Sequence, residues 1–225
     1  MLPIRDHERP STVPIVTIAL VVVNVFVFVQ ELLAPNLDAF IRQWALVPAA
    51  MDLTRPASLL PLLTSQFLHA GFAHIAFNMW FLWIFGDNVE AALGRFRFLF
   101  FYLLSGVVAA LVELPFIAGT NIPMLGASGA VAGVLGAYWA WFPRHRIDAL
   151  VPDLFIGFPM RATLPAGVVL LFWFVGQLLN GVASVATGTA AIGGVAFWAH
   201  IGGFVFGWSV ARMIGMHRGV RVIRQ

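Results

Sequence analysis

Six apolar segments, at about 14–34, 72–92, 96–117, 127–143, 162–180 and 195–214, set the terms on which this chain can fold. A helix needs about 20 apolar residues to cross a hydrocarbon core, and these segments reach or approach that length. A water-soluble globule is excluded, because 60% hydrophobic and 10% charged residues over 225 positions leave too little polar surface to solvate it. The expectation is an all-α polytopic membrane protein with six transmembrane helices, forming a single domain over residues 1–225. The first apolar run exceeds a signal-peptide core and has no clear small-residue cleavage site, so it is expected to stay as a span. From Pro35 to Gly71 the chain is mixed in polarity and punctuated by proline, which predicts short interfacial helices in a long first extracytoplasmic loop. No internal repeat is evident, which argues against an inverted-repeat transporter.

Arginine placement predicts orientation. All 13 basic residues are Arg, scattered over loops and tail, which suits membrane topology and not a nucleic-acid stripe. With the N-terminus cytoplasmic, the inner side receives Arg5, Arg9, Arg95, Arg97, Arg144, Arg146, Arg161, Arg212, Arg218, Arg221 and Arg224, against Arg42 and Arg55 outside. Both termini are therefore expected in the cytoplasm. The second, fourth and sixth spans then run inward, and depth follows from the first cytoplasmic Arg at about 1.5 Å per residue. Ser128, His200 and Asn78 fall at about 24, 18 and 26 Å, all in the outer half and close enough to share a site.

Polar groups inside spans are costly and face a cavity or the bundle interior, so His74 and His200 call for an explanation. Neutral packing histidines are one; catalysis is the other. Glycine steps accompany the candidates: Gly126, Gly129 and Gly133 around Ser128, then Gly203 and Gly207 after His200. Small residues at that spacing let helices approach closely, whether for plain packing or to bring a base to a nucleophile. The uncharged, glycine- and proline-punctuated stretch before Ser128 predicts a non-helical entry with Ser128 at a helix N-terminus, where N–H groups either take a serine cap or stabilise an oxyanion. His74 and Asn78 lie on one helical face, and both can donate hydrogen bonds. His69, His74 and His200 as a zinc set compete with this, but no HExxH is present and no carboxylate is well placed, so no metal and no cofactor are expected. The absence of cysteine excludes thiolate sites. Asp87, in IFGDNVE, has no partner aspartate on a second span, which argues against an aspartyl protease.

Three elements in order, HAGFAHIAFN with GDNVE, then GASGAVAG, then AHIGGFVFG, resemble the rhomboid family of intramembrane serine proteases over nearly the whole chain. The resemblance implies a six-helix rhomboid-like bundle with Ser128 as nucleophile, His200 as general base, and His74 and Asn78 stabilising the transition state. It implies a dyad without a third acid, and no carboxylate is expected near His200. His69 and Glu90 are expected to be structural polar residues. Transmembrane protein substrates, met within the lipid bilayer, are the implied partners, with no nucleic acid. A non-catalytic rhomboid-like protein that binds transmembrane clients is the alternative, although such relatives generally lack the serine or histidine present here. The first loop has Gln43 and Trp44 where some relatives carry a tryptophan–arginine pair. Span five and the small-residue loop after it are expected to form the movable side. The absence of Lys and the wealth of Arg, Ala and Gly predict a bacterial plasma membrane.

Overall fold

In the computed structural model, which describes residues 1–52, 54–152, 159–189 and 195–218, strand β1 (Leu2–Asp6) leads through two prolines into helix α1 (Ile15–Leu33). The buried residues of α1 are Thr17, Leu20, Asn24, Phe28 and Glu31, a single stripe at helical spacing, so Thr17, Asn24 and Glu31 face protein while the Val- and Phe-rich remainder, with Gln30 near its end, faces outward. Its N-terminus is capped from another helix. The Val16 and Thr17 N–H groups donate to the Glu90 carboxylate at 3.0 and 2.8 Å, and the Thr17 hydroxyl adds a third bond at 2.8 Å. The long connection that follows holds α2 (Leu37–Trp44), capped by Asn36, and the short α3 (Pro61–Thr64) between single turns of tighter helix.

Four more helices, α4 (Phe72–Leu93), α5 (Arg95–Ile117), α6 (Ser128–Trp141) and α7 (Ala166–Ala186), precede α8 (Phe197–Arg218). Gly94, at φ 79°, turns the chain between α4 and α5. Helix α6 is the centre of the bundle, buried on every side from Gly129 to Tyr138. Its packing on α8 is backbone to backbone. A Cβ on Gly203 would overlap the Gly129 carbonyl oxygen, one on Gly207 that of Gly133, and one on Gly136 that of Phe204. The rising register, 129 with 203 and 133 with 207, makes the two helices parallel. Gly129 and Gly133 also receive α5, whose Ala109 and Ser105 would collide with added methyls. Gly126 lies outside this seam. It precedes α6 at φ 128° and makes room for the His74 ring, so its expected place in helix packing is corrected.

By length and hydropathy α1, α5 and α7 qualify as membrane spans, and a fourth does if α4 is joined to the segment Pro56–Phe67, which meets it at an 81° bend. Of the other expected spans, α6 has only 14 residues and α8 carries His200 and Arg212. These helices are wrapped by their neighbours, so they have less need of a continuous apolar surface.

The all-α expectation needs one correction. Strands β1, β2 (Arg146–Pro152) and β3 (Pro159–Pro165) form an antiparallel sheet in the order β1-β2-β3, at the arginine-rich end of the bundle. Burial along the first half of β2 alternates, with Ile147 and Ala149 at 0% exposure, the pattern of a strand covered on one face. Span five therefore starts at Ala166, after Pro165 closes β3, and not at 162; it runs on to Ala186. The end of the loop after it, residues 190–194, and Arg221 and Arg224 lie outside the described residues.

Overpacking the seam tests its role. Gly207→Val is expected to lower stability by about 1–3 kcal/mol or more in detergent denaturation. Gly176→Ala, with nothing within 4 Å of the added methyl, should leave stability unchanged or slightly raised. A second test concerns the sheet, where the Asp148 carboxylate accepts from the Thr163 hydroxyl at 2.7 Å and meets His7 Nε2 at 2.8 Å. The bond from Thr163, and after it that from His7, hold the Asp148 pKa below the ordinary carboxylate value. A depressed carboxylate pKa stabilises the fold above the unfolded value, about 3.9, and that contribution is lost as pH falls through the folded one. Melting temperature should drop below about pH 4, and Asp148→Asn should flatten that part of the profile.

Candidate active site

Ser128 is delivered by a segment that cannot be helix. Residues 118–127 are pinned to the first loop by paired Leu46 and Met124 bonds of 3.0 and 2.8 Å, by the Ala49 N–H on Thr120, and by the Gly126 N–H on Ser65 at 2.8 Å. The chain then turns at Gly126 and enters α6 at Ser128 with no side chain capping the helix. The first-turn N–H groups and the positive end of the helix dipole are left for a ligand or water.

His74 stands in the first turn of α4, its Nδ1 accepting from the Ala70 N–H at 3.3 Å. An accepting Nδ1 places the proton on Nε2. A methyl on Gly126 would sit 2.6 Å from His74 Cε1, 2.8 Å from Nε2 and 3.7 Å from Ser128 Oγ. The Nε2–H edge of His74 is thus turned to the Gly126–Ser128 corner. One turn along α4, Asn78 is buried and its side-chain NH₂ has no partner. An orphan donor of that kind is costly unless an acceptor arrives.

His200 lies at the start of α8, level with the turn before Ser128 by the seam's register, about 3 Å further toward the helix N-termini. Its Nδ1 pairs with Gln177 Oε1 on α7 at 2.7 Å, and the Trp173 ring lies 5.9 Å away. Among the described residues, Ser128 and His200 are not hydrogen-bonded to each other; such pairs are often long without substrate. Ser128, His200, His74, Asn78, Glu113, Trp173 and Gln177 all line one cavity of about 1050 Å³. That is room for several residues of extended peptide.

Two expected structural residues have defined contacts. Glu90 caps α1, and the His69 backbone N–H donates to Glu31 at 3.0 Å while its ring meets His74 edge-on at 5.1 Å. The imidazoles of His69, His74 and His200 do not converge on an ion position. Among the described residues, the trio of acidic and imidazole side chains close enough to share one is Asp6, Glu8 and His145, at the sheet end.

The expectation that no carboxylate lies near His200 is corrected. Glu113 on α5 accepts from the Ala199 N–H at 2.7 Å, one residue from His200, and lines the same cavity. It holds the α8 backbone and makes no bond to the imidazole. Gln177 and Glu113 were missed by attention to motifs, although each is a polar residue inside an apolar span, LFWFVGQLLN and VVAALVELPF, and that alone marks them.

Residues 56–217 match the model of the rhomboid domain. The chain is 29% identical over 208 residues to the mitochondrial presenilin-associated rhomboid-like protein of Bos taurus, covering 91% of this chain and 48% of that one. It is 33% identical over 174 residues to the mitochondrial Rhomboid protein 1 of Saccharomyces cerevisiae, covering 73% and 46%. It is 45% identical over 76 residues to the rhomboid protease GluP of Bacillus subtilis, covering 34% and 14%. The fold and the matches define an integral, multi-pass helical membrane protein. The chain belongs to the rhomboid family. It spans about half the length of the mitochondrial relatives it matches.

The corner at Gly126 is open to test. Gly126→Ala forces a left-handed φ on a residue with a side chain and drives its methyl into the His74 ring. A loss of about 1–3 kcal/mol is expected, together with displaced ¹⁵N imidazole resonances of His74.

Proposed function

We propose that this protein is an intramembrane serine endopeptidase that cuts transmembrane protein substrates through an acyl-enzyme. The observation that carries it is the meeting, on one cavity, of Ser128 at an uncapped helix N-terminus, His200, and two donors aimed at no acceptor of the protein, the His74 Nε2–H edge and the Asn78 amide. Ser128 Oγ attacks the scissile carbonyl while His200 Nε2 takes its proton. Negative charge on the tetrahedral oxygen is held by the Ser128 N–H, His74 and Asn78, each such donor being worth about 2.7–4 kcal/mol in serine hydrolases. The amine leaves with the proton from His200, and water attacks the acyl-enzyme to regenerate Ser128.

The same proposal takes α1, α4, α5, α6, α7 and α8 as six spans of one domain over residues 1–225, with the sheet and both termini on the cytoplasmic side. Arg5, Arg146 and Arg161 on its three strands favour that sidedness. Composition pointed to a bacterial plasma membrane, but matches to proteins named as mitochondrial give that no support.

Purified protein in liposomes, incubated with single-span substrates, tests the assignment. Ser128→Ala and His200→Ala should abolish cleavage, while Asn78→Ala and His74→Ala should each lower kcat by about 10²–10³-fold. Cleavage that persists in either of the first two variants would falsify the dyad.

A further inference from the structure

A histidine can take a proton at a given ring nitrogen only in one of its two neutral tautomers, and the partner of its other nitrogen decides which is present. The His200 partner is Gln177, whose Oε1 lies 2.7 Å from Nδ1. With its amide oxygen toward the ring, Gln177 only accepts, so Nδ1 carries the hydrogen in this arrangement and Nε2 is the ring's acceptor. The other groups around this ring do not compete for Nδ1. Glu113 from α5 is engaged by the Ala199 N–H, His74 from α4 turns its Nε2–H edge to the Gly126 corner, and Trp173 from α7 offers a ring face at 5.9 Å.

Gln177 belongs to α7, the least buried of the three helices that qualify as spans by length and hydropathy. The inner end of α7 is tied by the Ala166 N–H on His145 at 2.7 Å and the Gly167 N–H on Pro143 at 2.9 Å. Beyond that, α7 rests on α8, α6 and the sheet, while α4 stands across the cavity from it. Around the level of Gln177 the contacts with α8 are apolar, such as Phe174 stacked on Phe204 at 4.8 Å, and tolerate sliding. A 2.7 Å hydrogen bond does not.

We propose that Gln177 is a positioning residue for His200: its amide oxygen holds Nδ1–H and so leaves Nε2 ready to accept the Ser128 proton only while α7 is seated against α8. This rests on the protease reading above and adds to it the group that sets the base's tautomer. The site would then be switched by the position of α7, with no titration or cofactor needed.

The test reads the tautomer directly. Protein labelled with ¹⁵N-histidine is studied in detergent micelles, and the His200 signals among the six histidines are assigned by their loss in His200→Asn. In wild type the Nδ1–H tautomer is expected. It should persist in Gln177→Glu, which keeps an acceptor, and shift toward Nε2–H in the near-isosteric Gln177→Met, with Gln177→Leu repeating that arm should the Met variant not fold. On a transmembrane substrate, kcat should fall about tenfold in Gln177→Met at unchanged KM and recover in Gln177→Glu. An Nε2–H tautomer in wild type, or no change in Gln177→Met, overturns the proposal. So does the reverse ranking, Met active and Glu inactive, which marks a packing role. Because the spectra need no substrate, a wild-type protein that cleaves nothing refutes the protease reading while the tautomer still decides the Gln177 contact.

Discussion

Everything around the cavity depends on how closely α6 approaches α8. Lipid offers no hydrophobic reason for two helices to meet, so the contact must come from dispersion and from Cα–H groups lying on carbonyl oxygens. Gly136, Gly203 and Gly207 supply it, each occupying a place where a single methyl would enter the facing backbone. The seam begins at the functional end: Gly129 follows Ser128, and Gly203 is three residues past His200. The proposed nucleophile and base are therefore carried on two backbones that touch directly along this seam.

Buried carboxylates do for the helix ends what water does in a soluble protein. Glu90 takes the first N–H groups of α1, Glu113 takes one at the start of α8, and Glu31 takes that of His69 ahead of α4. Each acid comes from a different helix than the one it caps. Unsatisfied N–H groups in a bilayer cost several kcal/mol apiece, so these acids both stop the ends from fraying and fix where neighbouring helices begin. The start of α8 sets the height of His200, which makes Glu113 part of the geometry of the site without any contact to the imidazole.

How much of this the sequence showed follows from what each feature needs. The helices were legible because burial in lipid imposes a composition over some twenty residues; Ser128, His200 and Asn78 stood out as polar groups at matching depths, and His74 as the residue on one helical face with Asn78. The sheet was not legible, because RIDALVP is short and PMRATLP runs straight into an apolar helix, so a hydropathy window merges the strand with the span. Spacing alone marks Gly126 as a packing residue, but its place in the site comes from a backbone angle that spacing does not encode. Gln177 and Glu113 carried the right signal, a polar group within a span, yet their partners sit 23 and 86 positions away and no local motif joins them.

The two sides of the cavity differ in how firmly they are built, and that difference bears on how a peptide could enter. On one side, His74 is held through the Ala70 N–H and against His69, and the loop ahead of Ser128 is bonded to the first loop at Leu46, Ala49 and Ser65. A substrate passing there would have to break backbone hydrogen bonds and disturb the donors proposed to receive its carbonyl. On the other side stands α7, tied by backbone at its end nearest the sheet and, among the described residues, by a side-chain bond at the level of His200. Displacing it costs apolar contacts that lipid or substrate can replace, together with the bond from Gln177. Under the proposed function, entry from that side would leave Ser128, His74 and Asn78 where they are and loosen only His200, the proposed base, so chemistry would wait until α7 returns over the bound peptide.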